Sequence, residues 1–271
     1  MFLKMRKITY FCAAVSKSKK PMQIHLTQAY KIHEIGKRQN NEDSLFPQHP
    51  TENDRLFIVC DGVGGNAGGE IASEITCRLI AAYFKQYVRD VASETHLQEA
   101  IGLAQESLYD AIKTMPENSK AATTLALLHL NSRGALLAHI GDSRIYHFRN
   151  GEILYKTHDH SLVNEMVALG ILAPEQAASH SQSNVITRCI MAQNNVAADV
   201  TYRTDILPND VFLVCSDGII EGCDDQKMAD YFKNNTLETA MNLIAAECAE
   251  YSRDNYTAIG VQVRNPTILV G

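Results

Sequence analysis

Residues 55–73 read RLFIVCDGVGGNAGGEIAS. Leu56 to Cys60 is a short apolar run of strand-like composition, and it stops abruptly at Asp61. Five glycines follow: Gly62, Gly64, Gly65, Gly68 and Gly69. Beyond them the apolar period changes from 2 to 3.6, and Ile71, Ile75, Leu79 and Tyr83 predict the inward stripe of a helix. A carboxylate is thus set at the exit of a buried strand, beside backbone that lacks Cβ atoms and can approach a ligand closely. A charge in that position is costly unless a cation meets it.

Around this stretch the chain reads as one large domain. It has 271 residues, 45% of them hydrophobic, and no Pro/Gly/Ser-rich linker or charge block divides it. Residues 1–22 carry six basic groups and no acid, a basic tail expected to be disordered, so the rest is more acidic than the net charge of -6 suggests. Such a body excludes the usual nucleic-acid binder, which holds polyanions through clustered Lys and Arg. Lys4, Arg6 and Lys7 before Ile8–Val15 faintly resemble a secretory signal, but no small-residue cleavage site follows. The seven cysteines include no C-x-x-C pair, and Cys60, Cys77, Cys215 and Cys248 lie inside apolar runs, which suits a reducing compartment. No apolar run approaches the roughly 20 residues that span a bilayer. The domain is read as 23–265, with a short tail at 266–271.

In chain order, Gln23–Ile35 reads as a strand, then comes the loop Gly36–Asp43, then the Asp61 strand and its helix. A second helix runs from His96 to Met115, with Leu97, Ile101, Ala104, Leu108 and Ile112 on one face and Pro116 closing it. Ala121–Leu130 and Gly134–Ile140 are strands, and the second is expected to continue through Gly141-Asp142-Ser143-Arg144 into Ile145–Phe148. Asn150-Gly151 signals a hairpin to Glu152–Lys156. Consecutive strands joined by tight turns imply antiparallel sheet. Leu162–Leu169 is a short helix ended by Gly170, and Gly170 to Asn195 is a weakly patterned surface excursion. Val211–Cys215, a helix over Leu237–Ser252 and a last strand Tyr256–Val263 complete the pattern.

Four aspartates, Asp61, Asp142, Asp217 and Asp254, stand at apolar strand edges. Asp-Gly and Asp-Asn are ordinary turns taken singly; together the four suggest one acidic site. Two carboxylates ~4 Å apart repel by about 4 kcal/mol even at an effective dielectric of 20, so such a group needs protons, arginines or divalent cations. Carboxylates with a glycine carbonyl suit Mg or Mn better than Zn. Two such ions sharing a carboxylate can deprotonate a bridging water and clamp a phosphoryl group for in-line attack, with Arg38 holding two phosphate oxygens in its planar fork. Gly62–Ala67 formally fits a dinucleotide fingerprint, but Asp61 would repel a pyrophosphate and a second helix follows where a βαβ unit needs a strand. His158-Asp159-His160 resembles a metal-ligand cluster and reads better as a structural loop.

In order, Arg38–Asp43, Val59–Gly65, Ala122-Thr123-Thr124, Gly141–Arg144, Thr157–Ser161, Cys215–Gly218 and Asp254–Thr257 resemble the motifs of the metal-dependent protein phosphatases, the type 2C or PPM family, in its compact bacterial form. The resemblance covers about Glu34 to Val263. It implies an α+β fold, a four-layer α-β-β-α sandwich with two central antiparallel sheets. It also implies hydrolysis of phosphoserine and phosphothreonine on proteins by a metal-bridging hydroxide. Asp61 would bridge two Mg or Mn ions; Asp217 and Asp254 would complete one site, Glu42 and the Gly62 carbonyl the other. Asp142, with Asp217, would hold a weaker third ion. Arg38 would bind the substrate phosphate, Asp43 and Asn255 would support the ligands, and 162–195 would form a flap. A monomer in the cytoplasm, acting on phosphoproteins and opposing a bacterial Ser/Thr kinase, is expected. The sequence departs from the family in having no histidine at Val63 or Asn66, where one is proposed to protonate the leaving oxygen; Asn cannot supply that proton. A silent phosphoprotein-binding module and a phosphatase of an anti-sigma-factor antagonist are the alternatives.

Overall fold

The structure, a computed structural model, describes residues 22–63, 68–115, 121–177, 180–264 and 267–268. The basic tail, apart from Met22, and Pro116 and Asn66 lie outside the described residues. The chain opens with β1 (Met22–Gln23), β2 (Leu26–Glu34), β3 (Asp43–Phe46) and β4 (Leu56–Val63), the strand of the quoted stretch. Helix α1 (Gly68–Tyr87) follows it, then α2 (Glu94–Ile112). The predicted period of α1 is present, but its buried face is turned by about one residue. Ala72, Ser73, Thr76, Cys77, Ile80, Ala81 and Phe84 are buried, as is Tyr83 of the expected stripe, while Ile71, Ile75 and Leu79 sit at the edge. The small side chains at 72, 73, 76 and 77 let the helix settle close on the sheet. In α2 four of the five predicted residues are buried, with Ala100 added, and the helix starts earlier because Ser93 caps it in a box with His96.

Four strands follow: β5 (Ala122–Thr123), β6 (Leu125–Asn131), β7 (Gly134–Ile140) and β8 (Arg144–Arg149). The expected continuation of β7 into β8 does not occur. Gly141 adopts φ +95, where a Cβ would meet Thr124 Cγ2 at 2.6 Å, and the chain leaves one sheet for the other. Asp142 therefore lies between the sheets' edges rather than within a strand. The Asn150-Gly151 turn forms as predicted, both residues at positive φ, and leads into β9 (Glu152–Lys156).

The excursion contains α3 (Leu162–Ala168), α4 (Pro174–Ala177) and β10 (Ile190–Met191), before β11 (Asp199–Arg203) and β12 (Val211–Cys215). Two helices without a sequence expectation come next, α5 (Asp217–Gly222) and α6 (Asp225–Asn234), then α7 (Leu237–Tyr251), β13 (Tyr256–Val263) and β14 (Thr267–Ile268). In α6 Met228 and Ala229 are buried, with Tyr231 and Phe232 partly buried beside them.

The two main sheets are antiparallel throughout. One has the order β10-β5-β4-β6-β7-β11 with β3 beside β4, the other β2-β13-β12-β8-β9; β1 and β14 pair separately. Three apolar layers hold them. Phe57, Val59, Leu128, Phe212, Val214 and Ile259 pack between the sheets. Ile80, Phe84, Ile101 and Leu108 pack α1 and α2 on the first sheet, and Met228, Met241, Ile244 and Cys248 pack α6 and α7 on the second. This is the four-layer α-β-β-α sandwich.

Candidate active site

The strands β4, β12 and β13 come from both sheets, and their acidic ends meet at one edge of the sandwich. A cleft of about 360 Å³ is lined by Arg38, Glu42, Asp61, Gly62, Asp254 and Asn255. Asp217, the first residue of α5, and Asp142, in the connection between β7 and β8, join it: Asp61 feels the charges of Asp43, Asp217 and Asp142.

Hydrogen bonds to backbone fix the segments that carry the acidic residues. Asn255, 5% exposed, accepts from Glu42 N–H at 2.8 Å and donates its amide to the carbonyls of Ile35 and Asn40, also at 2.8 Å. One side chain thus ties the loop 35–42 to the start of β13. Gly62 N–H donates to Glu42 O at 3.1 Å and Ser73 Oγ donates to the same carbonyl at 2.6 Å. A Cβ on Gly62 would collide with Gly69 O, and one on Gly69 with a Glu42 carboxylate oxygen, so only glycine lets these segments approach. The Asp61 peptide is held on both sides: its N–H donates to Thr124 Oγ1 at 2.9 Å, while its carbonyl accepts from Thr123 Oγ1 at 2.7 Å and Thr124 N–H at 2.9 Å. Thr124 Oγ1 in turn lies 2.6 Å from Ser143 Oγ.

The electrostatics are those of a site built for cations. Burial, then the charges of Asp43, Asp217 and Asp142, push the Asp61 carboxyl well above its ordinary range. Burial and Asp217 push Asp142 up to about 7, and burial raises Asp43 to about 7 against the hydrogen bond that Ser216 Oγ donates to it at 2.7 Å. Asp217 and Glu42 are raised as well, chiefly by burial. The buried Oδ1 of Asp217 has no hydrogen-bond partner among the described residues. Lys37 and Arg38 both line the cleft, and Arg38 Nη2 donates to Asp254 Oδ2 at 2.6 Å. Oxygen donors with mutually raised affinities for protons, one of them orphaned, fit divalent cations of the Mg or Mn kind.

The structure therefore gathers Arg38, Glu42, Asp43, Asp61, Gly62, Asp142, Asp217, Asp254 and Asn255 at one end of the sheet pair. Two features escaped the sequence reading: the Ser216 bridge to Asp43, and the Arg38–Asp254 pair, whose members are 216 residues apart. Elsewhere, His139, His160 and Asp199 place ligand atoms within 4.8 Å of one another. Nδ1 of His160, however, accepts from Gly141 N–H at 3.1 Å, so in the neutral ring Nε2 carries the proton and offers a metal no lone pair. Asp159 is engaged by both Nε and Nη2 of Arg144 at 2.7 Å. The loop 158–160 is structural, as its sequence suggested.

A two-sheet sandwich flanked by helices, with an acid-lined cleft where the sheets end, defines the class of metal-dependent phosphatases. The chain belongs to the protein phosphatase 2C family, whose model matches residues 33–247. It is 28% identical over 230 residues to the serine/threonine phosphatase Stp of Listeria monocytogenes, covering 83% of this chain and 91% of that one. It is 33% identical over 199 residues to the protein phosphatase PhpP of Streptococcus pneumoniae, covering 68% and 74%. The catalytic domain of the phosphatase PstP, solved in complex with two manganese ions, superposes with a TM-score of 0.75 at 25% identity, covering 90% of this chain and 100% of that one.

Proposed function

We propose that this chain hydrolyses phosphoserine and phosphothreonine on proteins in a reaction that requires Mg or Mn. The observation that carries the reading is the orphaned, buried Oδ1 of Asp217 in a group of carboxylates whose proton affinities are raised by burial and by one another. The family match and the two manganese ions of PstP support it.

Asp61, Asp217 and Asp254 would hold one ion, Glu42, Asp61 and the Gly62 carbonyl a second, and Asp142 with Asp217 a weaker third. When bound, the ions supply a nucleophile from water at neutral pH and polarise the phosphoryl oxygens. The chain's own residues do the rest. Asn255 and Ser73 fix the segment of Glu42, and Thr123 and Thr124 fix that of Asp61, so the donors are preorganised. Arg38 is exposed at the cleft mouth; released from Asp254, its planar fork can donate to two phosphate oxygens and orient the phosphoryl group. No histidine is among the described residues that line the cleft, so no imidazole there stands ready to protonate the leaving oxygen.

The phosphoproteins would be supplied by a cognate Ser/Thr kinase, and the enzyme would act as a monomer in the cytoplasm. The six described cysteines are all free, which agrees with a reducing compartment. Among the described residues no helix is long and apolar enough to cross a membrane. Phosphate release from a phosphoserine peptide in Mn, abolished by chelator, is the test; no release, or release indifferent to chelator, overturns the reading.

A further inference from the structure

Two cations stand side by side at the cleft mouth. Lys37 and Arg38 both line it, and the rest of the described lining is acidic or uncharged, with Glu42, Asp61 and Asp254 supplying the acids. Arg38 is paired with Asp254 and is assigned to the substrate phosphate. Lys37 instead donates from Nζ to Glu250 O at 2.8 Å, a carbonyl of the last turn of α7. An ammonium has three N–H groups, so two remain. Among the described residues Lys37 has no carboxylate partner, whereas Arg253, the cation just before Asp254 in the chain, donates from Nε to Glu221 Oε1 at 2.8 Å.

The loop sets Lys37 in a fixed place. Gly36 turns the chain at φ +60, and a Cβ there would collide with Asp254 O, so the loop lies directly on the segment that leads into β13. Asn255 donates its amide to Ile35 O and Asn40 O, one on each side of the two cations in the chain. With the phosphoryl group on Arg38, the neighbouring substrate residues of an extended segment follow at about 3.3 Å each. Those one or two places away pass within reach of a lysine arm that starts on the adjacent residue. A carboxylate entering the mouth elsewhere meets Glu42, Asp61 and Asp254 and is repelled; beside Lys37 it meets a cation with two donors to spare.

We infer that Lys37 is a specificity residue, selecting phosphoproteins that carry an Asp or Glu one or two positions from the phosphoserine or phosphothreonine. The inference rests on the phosphatase reading given above and adds a substrate class to it. Lys37 acts here through its charge. A lysine that only satisfied the Glu250 carbonyl at the end of α7 would act through its hydrogen bond, and the two roles separate by experiment.

The test is kcat/KM in Mn for phosphoserine peptides identical except for Asp, Ala or Lys at each of the two positions on either side of the phosphoserine. Wild type is compared with Lys37→Arg, Lys37→Gln, Lys37→Ala and Lys37→Glu; the residue is exposed, so all four are expected to fold. Wild type should favour Asp over Ala at one or more of these positions by about 2- to 5-fold, the worth of an exposed ion pair, and the preference should shrink at high salt. Lys37→Arg keeps the preference. Lys37→Gln, which retains a donor for Glu250 O but no charge, loses it as Lys37→Ala does, and Lys37→Glu favours Lys over Asp. A wild type indifferent to the flanking residue, or an Asp-to-Ala ratio equal in wild type and Lys37→Glu, overturns the inference and leaves hydrolysis standing. A Lys37→Gln variant as selective as wild type also overturns it, assigning Lys37 to the end of α7 alone. A wild type that releases no phosphate from any of the peptides overturns the phosphatase reading and the selectivity with it.

Discussion

Asp43 and Asp61 stand directly opposite each other on β3 and β4, a cross-strand pair of carboxylates at the end of a buried ladder. Like charges opposite one another in a sheet destabilise it, and here burial adds to the cost. The metal-free fold carries that strain for the sake of the site.

Replacing Asp43 by Asn should therefore stabilise the metal-free protein, since an Asn oxygen can still accept from Ser216. The expected gain is about 1 kcal/mol, or roughly 2–4 °C in a thermal melt in chelator for a chain of this length. The same variant should bind Mn more weakly. A lowered melting temperature in chelator would count against the pair as a source of strain.

Arg38 should show opposite signs in two observables. It occupies Asp254 Oδ2 in the metal-free protein and would bind phosphate in the working enzyme. Arg38→Ala should lower kcat/KM for a phosphopeptide by about 10- to 150-fold, the worth of about 1.5 to 3 kcal/mol of charged hydrogen bonding, while tightening Mn binding measured by calorimetry. A variant that binds Mn less well would show that Arg38 supports Asp254 instead of competing for it.

Asn66 stands at one of the two positions where family members commonly carry the histidine thought to protonate the leaving oxygen. Asn66→His should raise kcat on a phosphopeptide with a poor leaving group by about tenfold or more, and matter less for p-nitrophenyl phosphate, whose leaving group needs no acid. Equal effects on the two substrates would indicate that the histidine does not act as an acid. A silent parent made active by the substitution would favour the binding-module alternative.

Asp210 tests the frame away from the cleft. It is fully buried and accepts from His147 Nε2 at 2.8 Å, Arg149 Nε at 2.7 Å and Leu207 N–H at 2.9 Å. Burial alone would raise its pKa, but these donors outweigh it and hold the carboxyl at about 2. Its stabilisation is present above the ordinary value of 3.8 and is lost as pH falls toward about 2. Asp210→Asn should cost about 3 kcal/mol at pH 7, the gap to wild type narrowing below pH ~4 in denaturant titrations. A gap that is the same at pH 3 and pH 7 would exclude the ionised carboxylate as its source.

The parts of the fold legible in the sequence were those with an undivided local signal. Val211–Cys215 and Tyr256–Val263 appear with the bounds read from their apolar runs, and Asn150-Gly151 makes the expected turn. Asp61 and Asp217 were found because they follow such runs as Asp-Gly steps, Asp142 because it lies in a Gly-Asp step, and Asp254 because it stands just before the last strand. What failed depended on partners distant in sequence. The facing of α1 was decided by how closely Ala72, Ser73, Thr76 and Cys77 could approach the sheet, and not by where the largest apolar residues lay. The break at Gly141 depends on Thr124, and the pairing of Arg38 with Asp254 on a contact across 216 residues; neither leaves a local trace.

The most direct test of the central claim is anomalous diffraction from a crystal of this protein soaked in Mn. Two strong peaks should share Asp61 at about 2.1 Å from its oxygens, one completed by Asp217 and Asp254 and the other by Glu42 and the Gly62 carbonyl. Peaks elsewhere, or none while Arg38 stays on Asp254, would contradict it.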